Sequence, residues 1–192
     1  MADDGVANGQ APIPPRRSCA GCDLCCTAVP VTALKKGPSV RCAHLRGEAG
    51  TSCSIYDRRP DECRTFLCLW RVTDDVLPDW MAPASAGFVV LMSGPLQEAS
   101  TIFSVAPDPA RPDAWMAARN VQIFKELARQ SNRIVVVGQE HETRHIFAPS
   151  GKEFSREQHP WAFADGGRRV QVPNSEFLPA ARPEGSNDAK KT

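Results

Sequence analysis

The sequence predicts an α+β chain in which a small, irregular, cysteine-rich module precedes a ββαββ-like antiparallel unit, with disordered termini. Three observations predict it. All eight cysteines fall between positions 19 and 68. Two apolar, β-branched runs then flank a Ser93-Gly94-Pro95 turn, and residues 113 to 130 repeat apolar side chains at helical spacing.

The leader, residues 1 to 17, is polar and proline-bearing, with nothing periodic to bury, and is expected to be disordered. It has neither the basic start nor the apolar stretch of a secretory signal, so the chain is expected in the cytoplasm. Its apolar runs are far shorter than the roughly 20 residues that cross a bilayer, so no membrane span is expected. With 192 residues, 42% hydrophobic and 23% charged, the chain can build one ordinary core, or a small module beside a modest second domain. A net charge of +1 and a pI near 7.6 give it no general attraction for nucleic acid or for an anionic membrane.

Residues 18 to 72 carry few large aliphatic side chains and many Cys, Arg and Gly, too few apolar groups to order some 50 residues by burial alone. Within them, Pro60 followed by Asp61 and Glu62 predicts a helix over residues 60 to 71, with the acids at its positive end. Phe66 and Trp70 would share its buried face, with Cys63 near the same stripe and Cys68 on another.

A link rich in Asp and Pro, residues 73 to 83, leads into a small α+β region over residues 84 to 165. Strands are expected at residues 87 to 92 and 100 to 105, joined as a hairpin. Trp115, Val121, Phe124 and Leu127, with Asp113 as a cap, predict an amphipathic helix over residues 113 to 130. Strands at residues 133 to 137 and 143 to 148 complete the unit as antiparallel partners. The tail, residues 179 to 192, is rich in Pro, Glu, Lys, Asn and Ser and is expected to be disordered.

The cysteines carry the chemistry. A disulfide scaffold would need an oxidising compartment, and in a reducing cytosol clustered thiols are expected to be metal ligands. Metal binding would also supply the folding energy that residues 18 to 72 lack. Cys19, Cys22, Cys25 and Cys26 form a run with two-residue gaps closed by an adjacent pair. Such gaps let successive thiolates converge, and three in succession suit the wrapping of an iron-sulfur cluster, with 4Fe-4S favoured; zinc is the alternative. Side chains of adjacent residues tend to diverge, so Cys25 and Cys26 are not expected to share one ion. Cys42, Cys53, Cys63 and Cys68 follow at irregular gaps. Cys63, in a first helical turn, is the best candidate among them, because the helix dipole would favour its thiolate. His44, two residues after Cys42, is a further but weaker ligand candidate. From Pro15 to Arg71 ten Lys and Arg face five acids, and Arg58, Arg59, Arg64 and Arg71 could balance the negative charge of a thiolate centre.

The full pattern is C-x2-C-x2-C-C, then Cys42-Ala-His-Leu45, then Cys53-Ser-Ile-Tyr56-Asp-Arg-Arg-Pro60-Asp-Glu-Cys63-Arg-Thr-Phe66-Leu-Cys68. It resembles the CxxCxxCC family of zinc- or iron-chelating domains, the YkgJ-type cysteine-cluster proteins, over about residues 18 to 71. All eight cysteines fall on motif positions. The resemblance implies a metal-chelating module, and relatives that pair a similar cluster with an enzyme domain imply an iron-sulfur centre.

One competing motif is present. His141-Glu142-Thr-Arg-His145 fits the zinc-peptidase pattern, in which two histidines one helical turn apart bind zinc and the glutamate activates water. The flanking β-branched residues, Gly138 and Pro149 oppose a helix there. In a strand the two histidines would stand about 13 Å apart, so a hairpin tip is expected instead. Glu153, Glu157 or His159 would have to be the third ligand. The sequence therefore points to a metal-binding or electron-transfer accessory protein rather than a hydrolase. Its partner would be a metal ion or cluster, or another protein if zinc makes it a structural interaction adaptor.

Overall fold

The computed structural model describes residues 16–18, 21–46, 52–94, 101–138, 143–164 and 169–171. Cys19, most of the leader and the whole of the expected tail lie outside them. The architecture is mixed α and β, built on one five-stranded sheet. In chain order, α1 (Leu24–Ala28), β1 (Leu45–Arg46), β2 (Ser52–Cys53), α2 (Asp61–Thr65), α3 (Leu69–Val72) and α4 (Pro83–Ala86) precede it. The sheet strands are β3 (Phe88–Met92), β4 (Phe103–Pro107), β5 (Val135–Val137), β6 (His145–Phe147) and β7 (Glu153–Ser155), with α5 (Ala118–Ser131) between β4 and β5. A last pair, β8 (Phe163–Ala164) and β9 (Arg169–Val170), stands apart. Among the described residues no helix is long and apolar enough to cross a membrane.

Strand order in the sheet is β3-β4-β5-β6-β7. The expected antiparallel unit is corrected at one pair: β4 and β5 run parallel, Phe103 opposite Val135 and Val105 opposite Val137. The 14 residues of α5 span about 21 Å, enough to carry the chain back along the sheet so that β5 starts at the same end as β4. The strand at Glu153–Ser155 was not expected.

Alternation along the strands divides two buried faces. Phe88, Val90, Phe103, Val105, Val135, Val137 and Phe147 meet Phe124, Leu127 and Ala128 of α5. The Phe124 ring lies 5.3 Å from Phe88 and 5.8 Å from Phe147. On the opposite face, Val89 and Ala106 pack with Leu24 and Ala28 of α1, and Cys22, Phe66, Cys68 and Leu91 close around them. Farther along that face Val136, Ile146 and Phe154 meet Ala162 and Phe163. The cysteine-rich segment is thus laid on the sheet, and it borrows from the strands the apolar surface that its own composition lacks.

Two expectations change around that contact. The single helix over residues 60 to 71 is two short helices, α2 and α3, parted by an extended stretch at residues 66–68. Phe66 and Leu69 both reach cores at the sheet, and one straight helix cannot place them there. The link over residues 73 to 83 is also part of the fold, since Leu77 and Met81 are each 1% exposed in the α5-side core.

The expected leader also ends earlier than residue 17. The Arg16 and Arg17 amides donate to the Arg71 carbonyl at 2.9 and 3.2 Å. The Arg17 side chain is 12% exposed, stacked 4.9 Å from the centre of the Trp70 ring and paired with Asp79 at 2.9 Å. It donates to the carbonyls of Trp70, Leu77 and Asp74 at 3.0, 2.8 and 3.0 Å. This one guanidinium pins the start of the described chain to the segment between α3 and the sheet.

Candidate metal centre

Short elements gather the cysteines. Leu24 and Ala28, four apart on α1, turn to the sheet, and Cys25 and Cys26 between them line a cavity on the other side. Beyond α1 the chain folds back: Val31 bridges Lys36, and Lys35 takes a left-handed conformation at φ 51°. The Ser39 amide then donates to Ala28 O and the Cys42 amide to Cys26 O, each at 2.9 Å, which lays Cys42 beside Cys26. Leu45 N donates to Cys42 O at 3.1 Å, and Leu45 in turn opposes Cys53 in the β1–β2 pair. A 3-10 turn at Tyr56–Arg58 and α2 bring Cys63 to the same place.

The result is a cavity of about 640 Å³ whose wall holds Cys22, Cys25, Cys26, Cys42, Cys53 and Cys63. Among the described residues Cys25, Cys26, Cys42, Cys53 and Cys63 are in no disulfide. Cys68 does not line the cavity; it packs beside Cys22 and Phe66 at the sheet. The break between α2 and α3 makes Cys68 the residue just before α3 rather than a position on a continuous helix, so the separate helix face expected for it does not arise. Cys19 lies outside the described residues. His44 does not line the cavity, and its carbonyl accepts from Ser54 N at 2.8 Å.

The thiols act on one another. Cys25 donates a hydrogen bond to Cys26, contrary to the expected divergence of adjacent side chains. That bond, then burial and the neighbouring thiols Cys26, Cys22 and Cys68, push the Cys25 thiol far up. Its counterpart Cys26 is pulled down to about 7, by the same bond first and against burial, with Lys36 and Arg59 adding to the pull. Cys26 is the more acidic thiol of the pair. The dipole effect expected for Cys63 is opposed by its surroundings. Burial, together with Cys26, Cys42 and Cys53, pushes its thiol up, and its amide is spent on Pro60 O at 3.0 Å; a five-residue helix does not offset this.

Positive charge reaches the cavity from two sides. Arg59 lies 3.7 Å over the Tyr56 ring, and its Nε donates to Tyr56 O at 2.9 Å. Sequence reasoning missed the other cation, Lys36. This lysine is 8% exposed and lines the cavity; its ammonium donates to Val29 O, with Thr27 O and Gly37 O each 3.5 Å away. Burial lowers its pKa, while Cys42, Cys26, Cys25 and Cys63 oppose that shift. Of the other expected counter-charges, Arg64 and Arg71 also line the cavity, while Arg58 does not. Arg64 donates to Arg59 O and Asp57 O at 2.8 and 3.0 Å, and Arg71 to Arg17 O at 3.3 Å.

The donor set suits a thiophilic metal: six sulfurs in one wall, apolar side chains such as Leu34, Ile55 and Phe66 between them, and a held cation. Among the described residues, however, no three Cys, His, Asp or Glu side chains stand together as ligands for a single ion. The sulfurs ring a space rather than grip a point.

The peptidase motif is described only in part. His141 and Glu142 lie outside the described residues, and the stretch from Thr143 to Phe147 is extended, with His145 opening β6 opposite Ser155. His145 Nε2 and Glu153 Oε2 are 3.0 Å apart, and Glu153 is also paired with Lys125 of α5. Of the three candidates for a third ligand, Glu153 is thus bound to a lysine.

Comparison with protein-family models, with curated proteins and with solved structures gives no match.

Proposed function

We propose that this chain is a metal-binding cysteine-cluster protein that holds an iron-sulfur centre, with 4Fe-4S the favoured form, in a redox or metal-dependent accessory role. One observation carries the reading: six cysteines, delivered by α1, the Cys42 turn, the β1–β2 pair and α2, line a single cavity. Gathering that many thiols in one wall, with a lysine beside them, has no packing advantage over aliphatic side chains, and it becomes useful when thiolates bind a metal. At about 640 Å³ the space accommodates a polynuclear cluster and not merely one ion. The resemblance to the zinc- or iron-chelating cysteine-cluster family supports the same chemistry.

Purification without oxygen, followed by an absorption spectrum and by iron, sulfide and zinc analysis, tests this reading. A brown protein with acid-labile sulfide is expected. A colourless protein with stoichiometric zinc would replace the iron-sulfur centre with a structural zinc site, and the accessory role with that of an interaction adaptor.

A further inference from the structure

We infer that Arg17 is a positioning residue for the metal centre: its guanidinium fixes the register of the chain that brings Ser18, Gly21 and Cys22 to the cavity wall, and so sets Cys22 beside Cys68. The inference rests on the metal-binding reading above and adds to it a residue that binds no metal itself.

Two segments meet at one joint. The Arg17 amide donates to Arg71 O at 3.2 Å, and Arg71 Nε donates back to Arg17 O at 3.3 Å. Each side of the joint leads to a cysteine. The Arg71 amide donates to Cys68 O at 3.0 Å, while Cys22 follows Arg17 in the chain. Ser18, Gly21, Cys22 and Arg71 all line the cavity, and Cys22 and Cys68 pack with Phe66 around Leu24, Ala28 and Val89 at the sheet. A shift of the joint would therefore shift both cysteines.

The Arg17 side chain locks it. One terminal nitrogen donates to Trp70 O and Leu77 O, the other to Asp74 O and the Asp79 carboxylate, with the Trp70 ring stacked against the guanidinium. Trp70 is itself held, since its indole Nε1 donates to Pro78 O at 3.2 Å. An apolar side chain could also pack on Trp70, but such a contact tolerates a slip along the chain. A planar fork aimed at four acceptors does not. Taking a guanidinium out of water carries a desolvation cost that its partners return only in part, so what Arg17 adds over an apolar anchor is a fixed placement. Arg16 is the contrast: its pair with Asp74 is open to solvent on both sides and fixes little.

The test reads thiols and metal on the whole chain. In metal-free, reduced protein, Arg17→Ala should raise the iodoacetamide reactivity of Cys22 about tenfold, while Cys53, held in the β1–β2 pair, stays within about twofold of wild type. In protein purified without oxygen, the same variant should lose its metal to EDTA about tenfold faster. Arg17→Lys keeps the charge without the fork and should behave as Arg17→Ala does. Phe154→Leu, in the separate cluster with Ile146 and Phe163, destabilises the fold away from the joint and should leave both readouts unchanged. Wild-type Cys22 reactivity in Arg17→Ala, an unaltered rate of metal loss, or an equal rise in Phe154→Leu each overturns the inference. So does an Arg17→Lys protein that matches wild type. Should Arg17→Ala fail to fold, Arg17→Lys and Asp79→Asn carry the test, the second with the smaller rise. Wild-type protein without any metal would instead sink the metal-binding reading, and Cys22 reactivity alone would then decide whether Arg17 places that thiol.

Discussion

The Cys42 amide donates to the Cys26 carbonyl at 2.9 Å, which joins two cysteines sixteen positions apart through the backbone rather than through sulfur. The thiols are thus placed by the fold and remain free to bind something else. Because the bond closes the turn from α1 to β1, it also preforms part of the cysteine-lined cavity, so that less ordering would remain for metal binding.

Metal removal should accordingly have a local effect. Chelation under reducing conditions is expected to increase amide exchange across residues 21–46 and 52–72, while β3 to β6 and α5, which have their own core, stay protected. Hydrogen exchange with and without chelator measures this. Equal exchange in both states would mean that no metal orders the segment.

Lys36 gives an electrostatic prediction. A fixed positive charge favours the reduced, more negative form of a cluster, so Lys36→Met should make the reduction potential more negative while iron stays bound. A redox titration of both proteins reads it. An unchanged or more positive potential would remove Lys36 from the centre.

Arg17 should matter for stability despite its position at the edge of the described chain. Arg17→Ala leaves the Trp70, Leu77 and Asp74 carbonyls without their donor and is expected to cost about 2 kcal/mol, read from urea unfolding midpoints. A shift within error of zero would place residues 16 and 17 back in the leader.

Acid should weaken the fold through His145 and Glu153. Burial holds the His145 pKa below 6.5, only partly offset by Glu153, so the unfolded chain takes up this proton first as pH falls. The stabilisation is fully present above about pH 6.5 and declines below it. For Glu153 burial acts upward, but Lys125 and His145 together hold the carboxyl below its usual range, which adds a further loss at still lower pH. His145→Gln, neutral throughout, should flatten the stability profile between pH 7 and pH 5 relative to wild type. An unaltered slope would contradict this.

Residues 88 to 92 and the α5 helix could be read from the sequence because each has a strong local signal: a continuous apolar run before a Ser-Gly-Pro turn in one, Phe124 and Leu127 at helical spacing in the other. The parallel β4–β5 pair could not, since strand direction depends on the crossover that α5 makes rather than on any residue in the strands. The single helix expected over residues 60 to 71 failed for a similar reason. The break at residues 66–68 follows from tertiary burial of Phe66 and Leu69, against a local pattern that favours one helix. Lys36 gave no signal, because a lysine in a polar stretch reads as solvated until neighbouring carbonyls enclose it. The cysteines themselves were legible as a group. Which of them share one cavity was not, because that depends on backbone contacts between distant turns.

Metal content of protein purified without oxygen or chelator tests the account most directly. Iron, zinc or both are expected in stoichiometric amounts, with the metal released when Cys26 and Cys42 are replaced by Ser. Folded, never-chelated protein carrying well under one equivalent of iron and zinc combined, with its thiols open to alkylation, would contradict it.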